Sequence, residues 1–164
     1  MSKGAAERYA GNYQHWDMEL LGYKCNMNDF QASLLEPQLK KIETYLQDRN
    51  NICRQYENAL FYLNNVNYPK VLKNTKHARH LFTAWVKPSK RDEIIYKLQK
   101  EDIGVTVNYR AIHLLSYYKN IYKFSENSFP VAEKIGNSTI TLPMYPKMTE
   151  SEVKYVIHTL KNVV

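Results

Sequence analysis

No run of apolar residues in the sequence approaches the roughly 20 needed to cross a bilayer, so no membrane-spanning helix is expected. Residues 1–19 have no apolar stretch of the kind that directs secretion, so no signal peptide is expected there. Cysteine is scarce. Cys25 and Cys53 are the only two and form no C-x-x-C pair, which argues against a disulfide framework and for reduced thiols in a cytoplasmic protein. The five glycines are dispersed, so there is no loop to cradle a phosphate. Histidines and carboxylates do not fall at metal-ligand spacing, and no G-x-S-x-G nucleophile elbow occurs. Internal repeats and low-complexity tracts are also missing.

What remains is an ordinary globular composition. The chain has 164 residues, 44% hydrophobic and 24% charged, enough for one domain with a sizeable core. Its formal net charge is +7. The lysines are scattered, with no run longer than Lys40-Lys41, so most read as solvated surface. The functional alternative is attraction of an anionic ligand such as a nucleotide pyrophosphate.

Residues 1–21 are polar and aromatic without clear periodicity, and such a segment would be expected to lie on another domain. From Asn28 the pattern sharpens. Leu35, Leu39, Ile42, Leu46, Cys53, Tyr56, Leu60 and Leu63 follow in steps of four and three with Arg49 as the one break, which predicts a long amphipathic helix over 28–63 with its stripe in the core. Asn28 or Asp29 would cap it, and Pro37 would kink or break it. Three strands are expected, at 80–86, 103–109 and 138–142. Helices are expected between them, the first capped by Ser89, a later one opening at Pro130 and ending near Gly136. A tyrosine-rich piece spans 114–124. Thr149-x-x-Glu152 is a capping box before the last helix. The order predicts a small α/β sandwich with helices on one face of the sheet.

Several blocks carry more than periodicity. They are GYKCNM at 22–27, Gln31-Ala32, Gln38-Leu39, Arg49, Tyr56, His80-Leu81-Phe82, Arg91-Asp92, Leu98, Ile103-Gly104, Tyr109, His113, Phe129-Pro130, Ala132-Glu133, Leu142-Pro143 and Tyr145-Pro146. In this order they resemble the DegT/DnrJ/EryC1/StrS family of sugar aminotransferases, over nearly the whole chain. The GYKxN variant looks most like the branch that aminates 4-keto sugars linked to a nucleotide. The resemblance implies the C-terminal domain of a fold-type I aminotransferase. That is an α+β small domain with a long N-terminal helix and a small, mainly antiparallel three-stranded sheet covered by helices. Residues 1–27 would be left from the junction with a large domain, and 28–164 would form the small domain.

The same resemblance implies a pyridoxal 5'-phosphate (PLP) cofactor and paired subunits that share active-site residues. It places Lys24 and Asn26 on the cofactor phosphate, where a cation and an amide donor suit a dianion. Turn capping is the alternative for both. Tyr109, Arg110 and His113 would lie near the active-site mouth, holding sugar or phosphate oxygens. Here Asn108 and Ala111 replace a family His and Pro. The alternative is that Tyr109 ends a strand and His113 makes a backbone contact. His80, at a strand start, reads first as structural.

In the family the lysine that carries PLP lies well upstream of the 22–39 motif, and only 21 residues precede that motif here. The chain is therefore expected to lack the Schiff-base lysine and not to transaminate alone. Its expected partners are a chain carrying the large PLP domain or a second copy of itself, and a nucleotide-sugar substrate. Two other classes stay open: a free-standing binding or regulatory protein that uses its positive charge on nucleic acid, and an oligomerisation module built on the long helix.

Overall fold

The computed structural model describes His15 and residues 17–164. Most of the expected segment 1–21 lies outside the described residues.

The expected long helix is three helices in succession: α1 (Asp29–Ser33), α2 (Glu36–Leu39) and α3 (Ile42–Phe61). Asn28 caps α1 in a full capping box. Its side chain accepts from Gln31 N at 2.9 Å, and Gln31 Oε1 accepts from Asn28 N at 3.2 Å. Pro37 sits in the first turn of α2, where a missing amide hydrogen costs nothing. Of the kink or break expected at Pro37 the structure shows the break, and the proline opens the helix beyond it. The stripe divides as well. Cys53, Tyr56 and Leu60 are buried, whereas Leu35, Leu39 and Ile42 stand in solvent.

The sheet differs from expectation. It has two strands among the described residues, β1 (Phe82–Trp85) and β2 (Thr139–Leu142), paired antiparallel with Phe82 opposite Leu142 and Trp85 opposite Thr139. The expected third strand at 103–109 buries Ile103, Val105 and Val107 in alternation, but it joins β2 through one bridge, Thr106 with Thr141. Pairing stops there because Asn108 N donates to the Thr141 side chain, Oγ1 at 3.1 Å, rather than to a strand carbonyl. On the other side of β1, Asn67 forms a similar bridge with Trp85.

The remaining helices are α4 (Arg91–Lys100), α5 (Ser116–Tyr122), α6 (Pro130–Ser138) and α7 (Glu150–Val163). Ser89 does not cap α4. It lies inside a 3-10 turn, Pro88–Lys90, that leads into the helix. Helix α6 runs past Gly136 to Ser138 and passes directly into β2. Thr149 and Glu152 form the expected capping box on α7.

One core holds these pieces together. Phe82, Ala84 and Val86 of the β1 segment meet α3, α4 and α7 through Tyr56, Leu60, Ile95, Leu98, Val153 and Leu160. The Tyr56 hydroxyl, buried with its ring against Phe82, donates to Pro143 O at 2.8 Å. Cys53 Sγ lies 3.3 Å from Met144 Sδ, and burial raises the Cys53 pKa to about 11. Trp85, on the opposite face, shares a cavity with Val131 and Ile135 of α6, so helices flank both faces of the sheet rather than one.

Helix α6 approaches the chain at 110–111 very closely. A Cβ on Gly136 would meet Ala111 N at 2.7 Å and Arg110 C at 3.2 Å, both backbone atoms that cannot swing aside. Gly136→Ala is therefore expected to destabilise the domain by about 1–3 kcal/mol, the range for forced overpacking. Urea unfolding monitored by circular dichroism would measure it, and an unchanged midpoint would show that α6 can move away.

Candidate functional site

The Gly136 contact fixes where the segment 108–116 runs. Ala111 begins a 3-10 turn, Ile112–Leu114, that places His113 inside. His113 Nε2 lies 2.9 Å from Glu133 Oε1 on α6, among the rings of Phe124 and Phe129. Glu133 also accepts from Asn127 N at 3.0 Å and Phe129 N at 3.3 Å. These bonds from Asn127 and His113 hold the Glu133 pKa below the ordinary carboxylate value. His113 therefore anchors the loop before α6 through a side chain, not through the backbone contact considered above. Glu133 was visible in the sequence as part of the Ala132-Glu133 block and as a first-turn carboxylate three residues after Pro130, with no role attached. A glutamate there can reach back to the N-terminal amides, and here it takes a histidine as well.

Tyr109 and Arg110 lie on the outer part of the same segment, Tyr109 exposed and Arg110 half-buried. Tyr109 and Asn108 face a cavity of about 230 Å³ whose other wall includes Lys70, His77, Arg79 and His80. His80 is exposed at the start of β1, not tucked into the structure. The loop carrying Lys70 and His77 showed no signal in the sequence beyond its polarity.

Arg91, at the start of α4, is buried and binds three groups. It donates to Gly136 O at 3.1 Å and to Asp92 Oδ1 at 2.5 Å, and its Nη2 lies 3.3 Å from His15 Nε2. Burial, then the Arg91 charge, lowers the His15 pKa, so the imidazole is neutral at pH 7. Two residues on, Asp17 accepts from Ser116 N at 2.8 Å, from the Ser116 hydroxyl and from Met18 N at 2.8 Å. Tyr117 N donates to Met18 O at 2.5 Å. His15, Asp17 and Met18 thus tie the starts of α4 and α5 together.

Lys24 and Asn26 occupy the irregular connector before α1, and both are exposed. Asn28 takes the capping role, so Asn26 is not the cap. A cation and an amide donor side by side fit a phosphate chemically. Because both stand in solvent, they would hold one only against a wall from outside this connector. The structure does not gather Lys24 and Asn26 with the Tyr109–Arg110 segment into one cavity among those described above.

The sequence matches the DegT/DnrJ/EryC1/StrS aminotransferase family over residues 1–161. The chain belongs to this family. Aminotransferases of the DegT/DnrJ/EryC1/StrS family use PLP. Its relatives include the spore coat polysaccharide biosynthesis protein SpsC of Bacillus subtilis, 34% identical over all of this chain and 44% of SpsC. The structure of Spr1654 from Streptococcus pneumoniae, assigned as a sugar aminotransferase and solved in its PLP form, superposes with a TM-score of 0.78 at 33% identity. That match covers 91% of this chain and 38% of Spr1654. The PseC aminotransferase of Helicobacter pylori shares the fold at 19% identity, with a TM-score of 0.77 over 93% of this chain and 42% of PseC. The chain spans about 44% of the length of the curated relatives it matches.

The tie through Asp17 gives a pH-dependent prediction. Burial pushes the Asp17 pKa up, but the Ser116 and Met18 hydrogen bonds outweigh it, and the net value is lowered. A carboxylate with a depressed folded pKa stabilises the fold above its ordinary value, about 4, and loses that contribution as pH falls through the depressed one. Asp17→Asn should cost about 0.5–1 kcal/mol at pH 7, the range of a lost charged helix cap. The deficit should shrink below about pH 4. Denaturant midpoints at pH 7 and pH 3 would check it, and an equal deficit at both would show that the charge contributes nothing.

Proposed function

We propose that this chain is the C-terminal part of a PLP-dependent aminotransferase that transfers an amino group to a keto group of a nucleotide-linked sugar. The product would serve cell-surface polysaccharide or glycan precursor synthesis, in the cytoplasm. The observation that carries the reading is the continuous family match over 1–161, together with the superposition on 38% of Spr1654.

In this reading Lys24 and Asn26 contact the cofactor phosphate, and Tyr109 and Arg110 contact the substrate at the mouth of the site. His113 and Glu133 hold the segment 108–113 in place. PLP supplies the electron sink for moving an amino group, and the lysine that carries it belongs to a large domain outside this sequence. Within the sequence only Lys24 stands in a family cofactor motif, at a phosphate position.

The surface left bare supports the same reading. Leu20, Leu21, Tyr23, Met27, Phe30 and Leu34 are all more than half exposed, and Leu39 and Ile42, which follow them in the chain, are exposed as well. An apolar patch of this kind is an interaction surface. Its proposed occupants are the large PLP domain or a second copy of this chain, in a dimer that shares its active sites. No helix among the described residues is long and apolar enough to cross a membrane.

Two outcomes are expected of the purified chain. Size-exclusion chromatography with light scattering should show self-association beyond 19.4 kDa. Incubation with PLP and an amino donor should give neither turnover nor a borohydride-fixed lysine adduct, while co-expression with a large-domain chain should give both. Turnover by the chain alone would overturn the assignment of the lysine to another part.

A further inference from the structure

The cavity between the 69–81 loop and Asn108-Tyr109 is built for an anion. Lys70, His77, Arg79 and His80 line it, and none of the lining residues is a carboxylate. Two other surface cavities include Glu43 and Glu93, and the Trp85 cavity, which also lacks a carboxylate, holds lysines but no histidine or arginine. The cationic and donor groups are also held in position. Lys70 Nζ sits 3.8 Å over the Tyr68 ring, a cation–π contact that restrains a long side chain. Arg79 takes a left-handed φ of 48°, which bends the chain between the two histidines. Its guanidinium is fixed by Glu57 at 2.8 Å. Its backbone N–H donates to His77 Nδ1 at 3.0 Å. A neutral imidazole that accepts at Nδ1 carries its proton on Nε2, so His77 presents an N–H donor away from the loop backbone.

The geometry points to a diphosphate site: Lys70, His77 and His80 on one wall and Asn108 and Tyr109 on the other grip the diphosphate of a nucleoside diphosphate. About 230 Å³ is room for two linked tetrahedral groups, and the donors stand on two separate segments, as a bridging anion requires. The source of that diphosphate, the nucleotide-linked sugar, rests on the function proposed above, whereas the anion site itself does not.

Histidine side-chain NMR on the full chain tests it directly, because the chain has five histidines and the site takes two of them. Uridine diphosphate should shift the His77 and His80 ring signals saturably, leave His113 and His158 in place, and lose affinity about tenfold in Lys70→Ala. Uridine should leave all rings unmoved. The inference is overturned if uridine diphosphate does not move His77 and His80. It is also overturned if orthophosphate or PLP moves them with equal affinity, which would make the site a general phosphate site or the cofactor's. Lys73→Ala, a change on the same loop outside the cavity, controls for lost charge, and an equal loss there would also overturn it. The two readings fail separately. Saturable binding at His77 and His80 alongside a complete enzyme that ignores nucleotide sugars would sink the proposed function alone. Amination of nucleotide sugars with an unchanged KM in Lys70→Ala would sink the diphosphate site alone.

Discussion

Strand β2 has no solvent-facing side, and that constraint organises the domain. Its four residues, Thr139 to Leu142, are all buried, so every peptide group in it needs a partner within the protein. β1 satisfies one edge. The other is met by Thr106, which exchanges both backbone bonds with Thr141. The Thr141 hydroxyl then captures Asn108 N and ends the pairing. The chain leaves the sheet at this point, and the segment with Tyr109, Arg110 and His113 begins. The candidate site therefore starts where β2 runs out of backbone partners.

From there a second set of contacts takes over. Gly136 lets α6 lie against Ala111, and its carbonyl is bound by Arg91. Glu133, one turn earlier on the same helix, holds His113. Helix α6 therefore fixes the segment from two points, and Asp17 fixes its far end at Ser116. These contacts reach across α4, α5 and α6, so the segment's position depends on the folding of the whole domain. Its buried residues, Ala111 and His113, keep it still, and Tyr109 is left exposed.

Local signals were the legible ones. Thr149-x-x-Glu152 and Asn28 declared their helix starts because a cap is settled within four residues. The alternation of Ile103, Val105 and Val107 correctly marked which side chains are buried, yet it could not say how many rungs the segment shares with β2. That depends on Thr141, whose hydroxyl competes for an amide 33 positions away. The stripe from Leu35 to Leu63 read as one buried face because periodicity reports amphipathicity and not the occupant. Its N-terminal third, Leu35, Leu39 and Ile42, has no cover among the described residues. Family resemblance drew attention to Tyr109, Arg110 and His113, but the pairing of His113 with Glu133 and of Asp17 with Ser116 joins residues 20 and 99 positions apart. No spacing rule connects such pairs. Of Lys70, His77 and His80 the sequence singled out His80 alone, and nothing in it joined the three to one cavity.

The two thiols show how differently one chain can treat the same group. Cys53 lies in the core with its pKa raised to about 11, which keeps it a thiol and chemically quiet at neutral pH. Cys25 is exposed and sits between Lys24 and Asn26. A thiol-directed dye or spin label would therefore enter at one position only, without disturbing the packed interior. That position lies inside the connector that the proposed partner would cover. The protein thus carries a built-in attachment point for watching the assembly proposed for it.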